Sequence, residues 1–240
     1  MEPIDVDATI FSDVHRMGGN VAVVGWYLPY CRMFSGSLSA CTWYDNGNLL
    51  NITGDGVAQN LVKQTRSLFE TSLFSPFGQS LTVKHAVRMV QDFRRHALRA
   101  VANPAFDLVF LHYPVPHAPH PYDRFKGTFT KSNTGFEGYT DSLALANILL
   151  GEVRAEMIRA HCWDDSVVLV TSDHPYREST HLDGKADPRV PFLIKFPNQN
   201  SSVVYDRPMH TFVIRELLNS VFRGDVLSAG DAVEWFARRK

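Results

Sequence analysis

The sequence predicts an α/β fold, a mostly parallel central sheet with helices on both faces, and two patterns carry that prediction. Four apolar runs dense in Val, Ile, Leu and Phe, at residues 20–25, 106–113, 166–172 and 190–196, lack polar alternation. Continuous apolar character is what a parallel strand covered on both faces requires. Between the runs lie segments with apolar residues at three-and-four spacing, as in helices with one buried face. Strand and helix therefore alternate, and right-handed crossovers leave few topologies for such a chain. Composition agrees: 240 residues, 45% hydrophobic and 20% charged with a formal net charge of −1, describe a globular protein rather than a disordered or repetitive one. No linker divides the chain, so one domain over residues 1–240 is expected.

Taken in order, the run at 20–25 is the first strand. Helical patterns follow over 56–74 and 81–101, the second capped by Ser80. The strand at 106–113 leads into a segment from 114 to 138, rich in Pro, Gly, His and Thr, that is too long and polar for a connector and sits where an active-site loop would. The helix over 139–161 aligns Leu143, Ala146, Leu149, Leu150, Val153 and Met157 on one face. Strands at 166–172 and 190–196 come next. A helix over 210–222 follows Pro208, and another over 229–239 closes the chain.

Charge and cysteine usage narrow the classes of partner. With 24 Lys+Arg against 25 Asp+Glu there is no general attraction to phosphate backbones, and Arg88, Arg94, Arg95 and Arg99 have the spacing of a solvated helix face. No nucleic-acid partner is expected. The longest apolar runs are broken well short of a span of ~20 residues, and the acidic start does not read as a signal peptide. The chain is read as cytosolic or as a soluble piece of something larger. Cys31, Cys41 and Cys162 lack the spacing of a zinc site and read as buried thiols, with one Cys31–Cys41 bridge as the alternative in an oxidising compartment.

Ligands of open α/β sheets sit beyond the carboxyl ends of the strands, and two such ends carry chemistry here. The first is Phe-Leu-His-Tyr-Pro-Val-Pro-His-Ala-Pro-His, with His112, His117 and His120. The second is Val-Leu-Val-Thr-Ser-Asp-His-Pro-Tyr-Arg, which bears Asp173, His174 and Arg177 and continues through His181 and Lys185 to Asp187. A carboxylate beside an imidazole supplies charge and a borderline nitrogen donor to one cation, and two such strand ends are expected to converge on one crevice. His15, His85, His96, His161 and His210 are read as structural. A relay of Ser172, Asp173 and His174 fails because neighbouring side chains on an extended segment point apart.

The segment Val-Leu-Val-Thr-Ser172-Asp173-His174, followed by Arg189-Val-Pro-Phe-Leu-Ile, resembles the sulfatase-like branch of the alkaline phosphatase superfamily. Thr9-Ile-Phe, the Gly25-Trp26-Tyr27 element, the His-Pro segment and Tyr139-Thr-Asp-Ser resemble further stretches of that family, so the resemblance covers nearly the whole chain. It implies an alkaline-phosphatase-like sheet and hydrolysis or transfer of a phosphate or sulfate ester through a covalent intermediate. It also implies a divalent metal (Zn, Mn or Ca) held by Asp173 and His174. By the same resemblance, His117, His181 and Lys185 are catalytic contacts of an anionic ester, with His112, His120 and Arg177 binding substrate. The family's first strand, with its acidic ligand and nucleophile, is expected to precede residue 1, which makes the fold incomplete at its N-terminus and the chain inactive alone. The Cys-x-Pro-x-Arg signature is absent, Gly25-Trp26-Tyr27 lacks the usual Lys and His, and Pro175 replaces a glycine. The expected setting is the extracytoplasmic part of a membrane-bound parent, and the competing expectation is a catalytically dead module that binds an anion or headgroup.

Overall fold

The computed structural model describes residues 5–45 and 75–239; the helix expected over 56–74 lies outside them. The chain forms two compact units, Met1–Met157 and Ile158–Lys240. It is an α/β protein whose first unit is built on a three-stranded parallel sheet.

That sheet has the order β2-β1-β3, from β1 (Val21–Trp26), β2 (Ala40–Tyr44) and β3 (Leu108–His112). All of β1 is buried, as its unbroken apolar run demands. β2 escaped the sequence reading because Ala-Cys-Thr-Trp-Tyr is neither continuous nor clearly alternating, and as an edge strand it is only half-buried. Ahead of β1, helix α1 (Ile10–Arg16) begins at a capping box: the Ser12 backbone N–H donates to Thr9 Oγ1 and the Thr9 N–H to Ser12 Oγ, each at 3.2 Å. After β1, α2 (Tyr30–Met33) is a single turn, tied to β2 by a Cys31–Cys41 disulfide with Cα atoms 5.5 Å apart. The bridge corrects the reading of these two cysteines as thiols. The bridge is the alternative the sequence left open, and it forms because α2 and β2 lie side by side.

Helix α3 (Ser75–Val101) starts before Ser80, which is therefore inside the helix rather than its cap. Its buried Phe93, Ala97 and Ala100 cover the sheet, Phe93 lying 5.6 Å from the Tyr44 ring and 4.4 Å from that of Tyr113, while Val90 packs with Tyr122, Leu145 and Leu149. Burial pushes the Tyr113 phenol well above its ordinary pKa. The segment expected to be an irregular loop holds an antiparallel hairpin, β4 (His120–Asp123) and β5 (Thr128–Asn133), and α4 (Gly135–Arg159) begins immediately after it. Buried Asp141 of α4 accepts from the Arg124 guanidinium at 2.8 Å and from the Arg124 backbone N–H at 3.2 Å, clamping the hairpin turn to the helix.

The second unit holds β6 (Val168–Thr171), α5 (Thr180–Asp183), β7 (Phe192–Lys195), α6 (Val213–Phe222) and α7 (Ala229–Ala237). β6 and β7 pair with each other antiparallel, from Val168 opposite Lys195 to Thr171 opposite Phe192, which overturns the expectation of two interior parallel strands. The chain between them contains only the four-residue α5, interrupted by Pro175, Gly184 and Pro188. Without a long helix to carry a crossover, the chain returns alongside itself. Phe192 and Ile194 pack on Phe196, Leu217, Trp235 and Phe236, while Leu193 between them is 61% exposed. This is the half-wet alternation of an antiparallel strand, hidden in a run that is apolar on both sides. Trp235 Nε1 donates to Ser220 Oγ at 3.0 Å, joining α7 to α6.

Phe93 has no exposed surface, so Phe93→Ala leaves a cavity beneath β1 and should lower stability by about 3–5 kcal/mol, read from the denaturant midpoint.

Candidate functional site

The carboxyl ends of β1 and β3 gather the first set of candidates. Gly25 pairs with His112 in register, so Trp26 and His112 leave the sheet together. The indole of Trp26 then has two imidazoles near it, its ring 5.9 Å from that of His112 and 5.1 Å from that of His117. Trp26 is 7% exposed, whereas His117 is exposed on the segment between β3 and β4. Tyr27, the next residue, adopts φ 71, a left-handed conformation rare for a bulky side chain, and its ring lies 5.6 Å from that of Trp26. Strain of this kind concentrates where function over-determines the backbone.

What faces each Nδ1 decides what each imidazole can offer. His112 Nδ1 meets the Tyr30 hydroxyl at 2.8 Å and His120 Nδ1 meets Ser142 Oγ at 2.9 Å. A hydroxyl can donate or accept, so these rings can carry a proton on Nε2 in either charge state. His117 Nδ1 instead meets the Ala118 carbonyl at 2.8 Å, and His174 Nδ1 the Pro175 carbonyl at 2.7 Å. A carbonyl only accepts, so Nδ1 bears the hydrogen and the neutral ring keeps a lone pair on Nε2. Tyr30 reaches His112 because position 25 is glycine: a Cβ there would lie 2.3 Å from Tyr30 Cδ2.

In the second unit, Asp173 and His174 leave β6 together. Asp173 Oδ1 lies 4.0 Å from His174 Nε2, the nitrogen left with its lone pair. A backbone carbonyl that fixes the tautomer in this way is the usual support of a metal-binding histidine. The donor chemistry therefore fits two positions of a divalent cation's coordination sphere. It does not fill the sphere: among the described residues no group of three or more His, Cys, Asp or Glu side chains is placed to hold one ion. Ser172 Oγ donates to the His174 carbonyl at 2.6 Å, which removes it from any relay through the imidazole.

The remaining candidates lie on the segment between β6 and β7. His181 Nδ1 is 3.9 Å from Glu178 Oε2, and Arg177 and Lys185 are exposed, Lys185 following Gly184 at φ +77. Asp187, at the end of the motif, hydrogen-bonds the Arg189 guanidinium, which holds its carboxyl down at about 2. Of the basic face on α3, Arg94 pairs with Glu152 at 2.5 Å, and Arg95 pairs with Asp92.

Reading the sequence missed Tyr30 and Ser142 as partners of the histidines. Neither carries a local signal, since Ser142 sits inside a regular helical pattern and Tyr30 becomes relevant only once α2 folds back over Gly25. Trp26 was visible as part of a Gly-Trp element but without a role.

A model of the sulfatase family matches residues 81–220, a span that contains every candidate from His112 to Lys185. The match covers more than half of the chain, which belongs to the sulfatase family. Chemistry in this family is the hydrolysis of sulfate esters or related alkaline-phosphatase-like reactions, generally with a divalent metal. No curated protein matches the chain.

Gly25→Ala should drive the Tyr30 ring off His112 and lower stability by about 1–3 kcal/mol, the usual penalty for an added methyl in a filled site. Thermal unfolding measures the loss, and the His112 ring nitrogen shifts in NMR report the broken contact.

Proposed function

We propose that this chain acts on sulfate or phosphate esters, hydrolysing or transferring the anionic group, with Asp173 and His174 as two ligands of a divalent cation. The family match over residues 81–220 carries the reading, because it spans both histidine-bearing motifs. The bound cation would supply charge neutralisation on the transferring group. The chain's own residues divide the rest. Asp173 contributes negative charge, and the Pro175 carbonyl keeps His174 in the tautomer a cation needs. His117, with its lone pair on Nε2, is suited to take a proton. His112 and His120, backed by hydroxyls, are suited to give hydrogen bonds to anionic oxygens, and His181, Lys185 and Arg177 add exposed donors and positive charge. Zinc, manganese and calcium are the candidate ions.

A second reading is a catalytically dead module that holds an anion or headgroup; in its support, among the described residues no group of three or more His, Cys, Asp or Glu side chains is placed to hold one ion. Calorimetry with zinc and manganese separates the parts of the proposal. Binding should be weak, as two donors imply, and Asp173→Ala and His174→Ala should each reduce it at least tenfold. Hydrolysis of aryl sulfates or aryl phosphates that disappears in His174→Ala would assign the enzyme. Sulfate or phosphate binding without turnover would assign the module. Metal binding unaffected by both substitutions would remove Asp173 and His174 from the ligand set.

A further inference from the structure

The indole N–H of Trp26 is an unexplained group at the carboxyl end of β1. Trp26 is 7% exposed, and its Nε1 is fully buried without a hydrogen-bond partner. A buried donor without an acceptor costs about 1–3 kcal/mol, and native proteins rarely leave one without a reason. The Trp235 indole in the second unit has its acceptor, Ser220 Oγ at 3.0 Å. The position of Trp26 makes the orphan informative. It follows Gly25 at the strand end, its ring lies against His112 and His117, and the next residue, Tyr27, is held in a left-handed conformation. Two imidazoles, a strained backbone and an orphaned donor thus surround one spot at the edge of the sheet where ligands of α/β folds are held.

We infer that Trp26 is an anion-binding residue whose indole N–H donates to an oxygen of a tetrahedral oxyanion, the sulfate or phosphate group of the ester. The inference rests on the proposed ester chemistry for the class of ligand. An oxyanion supplies the acceptor that the indole lacks, and a hydrogen bond to a charged acceptor is stronger than one between neutral groups. The exposed His117 belongs to the same cluster, its ring centroid 5.1 Å from that of the indole. His112, backed by the Tyr30 hydroxyl, can give a second donor to the same anion from the neighbouring strand. Trp43 on β2 has a buried, unpartnered indole N–H as well, yet among the described residues no imidazole lies against its ring, so it serves as the internal control.

The test is an NMR titration of the full chain with sodium sulfate and, separately, inorganic phosphate, following the four indole N–H signals. The Trp26 signal should move in a saturable way with one or both anions, while those of Trp43, Trp163 and Trp235 stay in place. Trp26→Phe should weaken anion binding about tenfold, the loss of one hydrogen bond to a charged acceptor. Should that substitution unfold the chain, the titration of the unaltered protein still decides, with signals assigned through the backbone. A Trp26 signal that does not move, or that moves together with all the other indoles, overturns the inference. The readout needs no turnover: absent ester hydrolysis with a responsive Trp26 would count against the enzyme alone, and hydrolysis with a silent Trp26 against this assignment alone.

Discussion

The burial of β1 on both faces is the constraint on which the first unit depends. Because β1 hydrogen-bonds β2 on one side and β3 on the other, its backbone is satisfied only in the middle of a sheet, and its apolar side chains then need cover above and below. Val24 and Trp26 meet Phe93 and Ala97 of α3. The alternate face carries Gly25, where the missing side chain makes room for the Tyr30 ring, itself packed among Phe11, Phe34 and Phe110. Packing on one face thus places the indole and packing on the other places the hydroxyl, and His112, in register with Gly25, receives both.

The two candidate clusters differ in the medium that surrounds them. His112 and His120 of the first unit are half-buried and set against hydroxyls, where polar interactions are stronger because less water competes. Asp173 has a side chain 70% exposed and His174 one 39% exposed, so water competes for any cation they hold.

Physical signals explain what was legible in the sequence. The unbroken apolar run of β1 identified a two-sided buried strand, and the three-and-four spacing of Leu143, Ala146, Leu149, Leu150, Val153 and Met157 identified α4, because both patterns are local; the buried face itself runs through Leu145, Leu149, Val153 and Met157, with Leu143 and Leu150 exposed. The same local rule misled at β6 and β7: apolar residues line both faces there although only one is covered, and Leu193 is left in solvent. Strand direction depends on the connection, and only the short α5 shows that no crossover helix exists. Asp173 and His174 stood out as candidates because they adjoin in the chain and follow one strand. Tyr30 and Ser142 did not, since each meets its histidine across a long sequence separation, 82 residues for Tyr30 and His112. The Cys31–Cys41 bridge belongs to the same class of non-local fact.

That bridge has a consequence for how the protein is made. α2 is one helical turn with no side-chain cap, too short to hold its shape by its own hydrogen bonds, and it carries Tyr30. The covalent link from Cys31 to β2 therefore stands in for the helical length that α2 lacks. Chains produced in a reducing cytoplasm would carry two thiols instead of the link. Such preparations differ in how firmly the Tyr30 hydroxyl is held against His112, so the compartment of expression is itself a variable whenever preparations are compared.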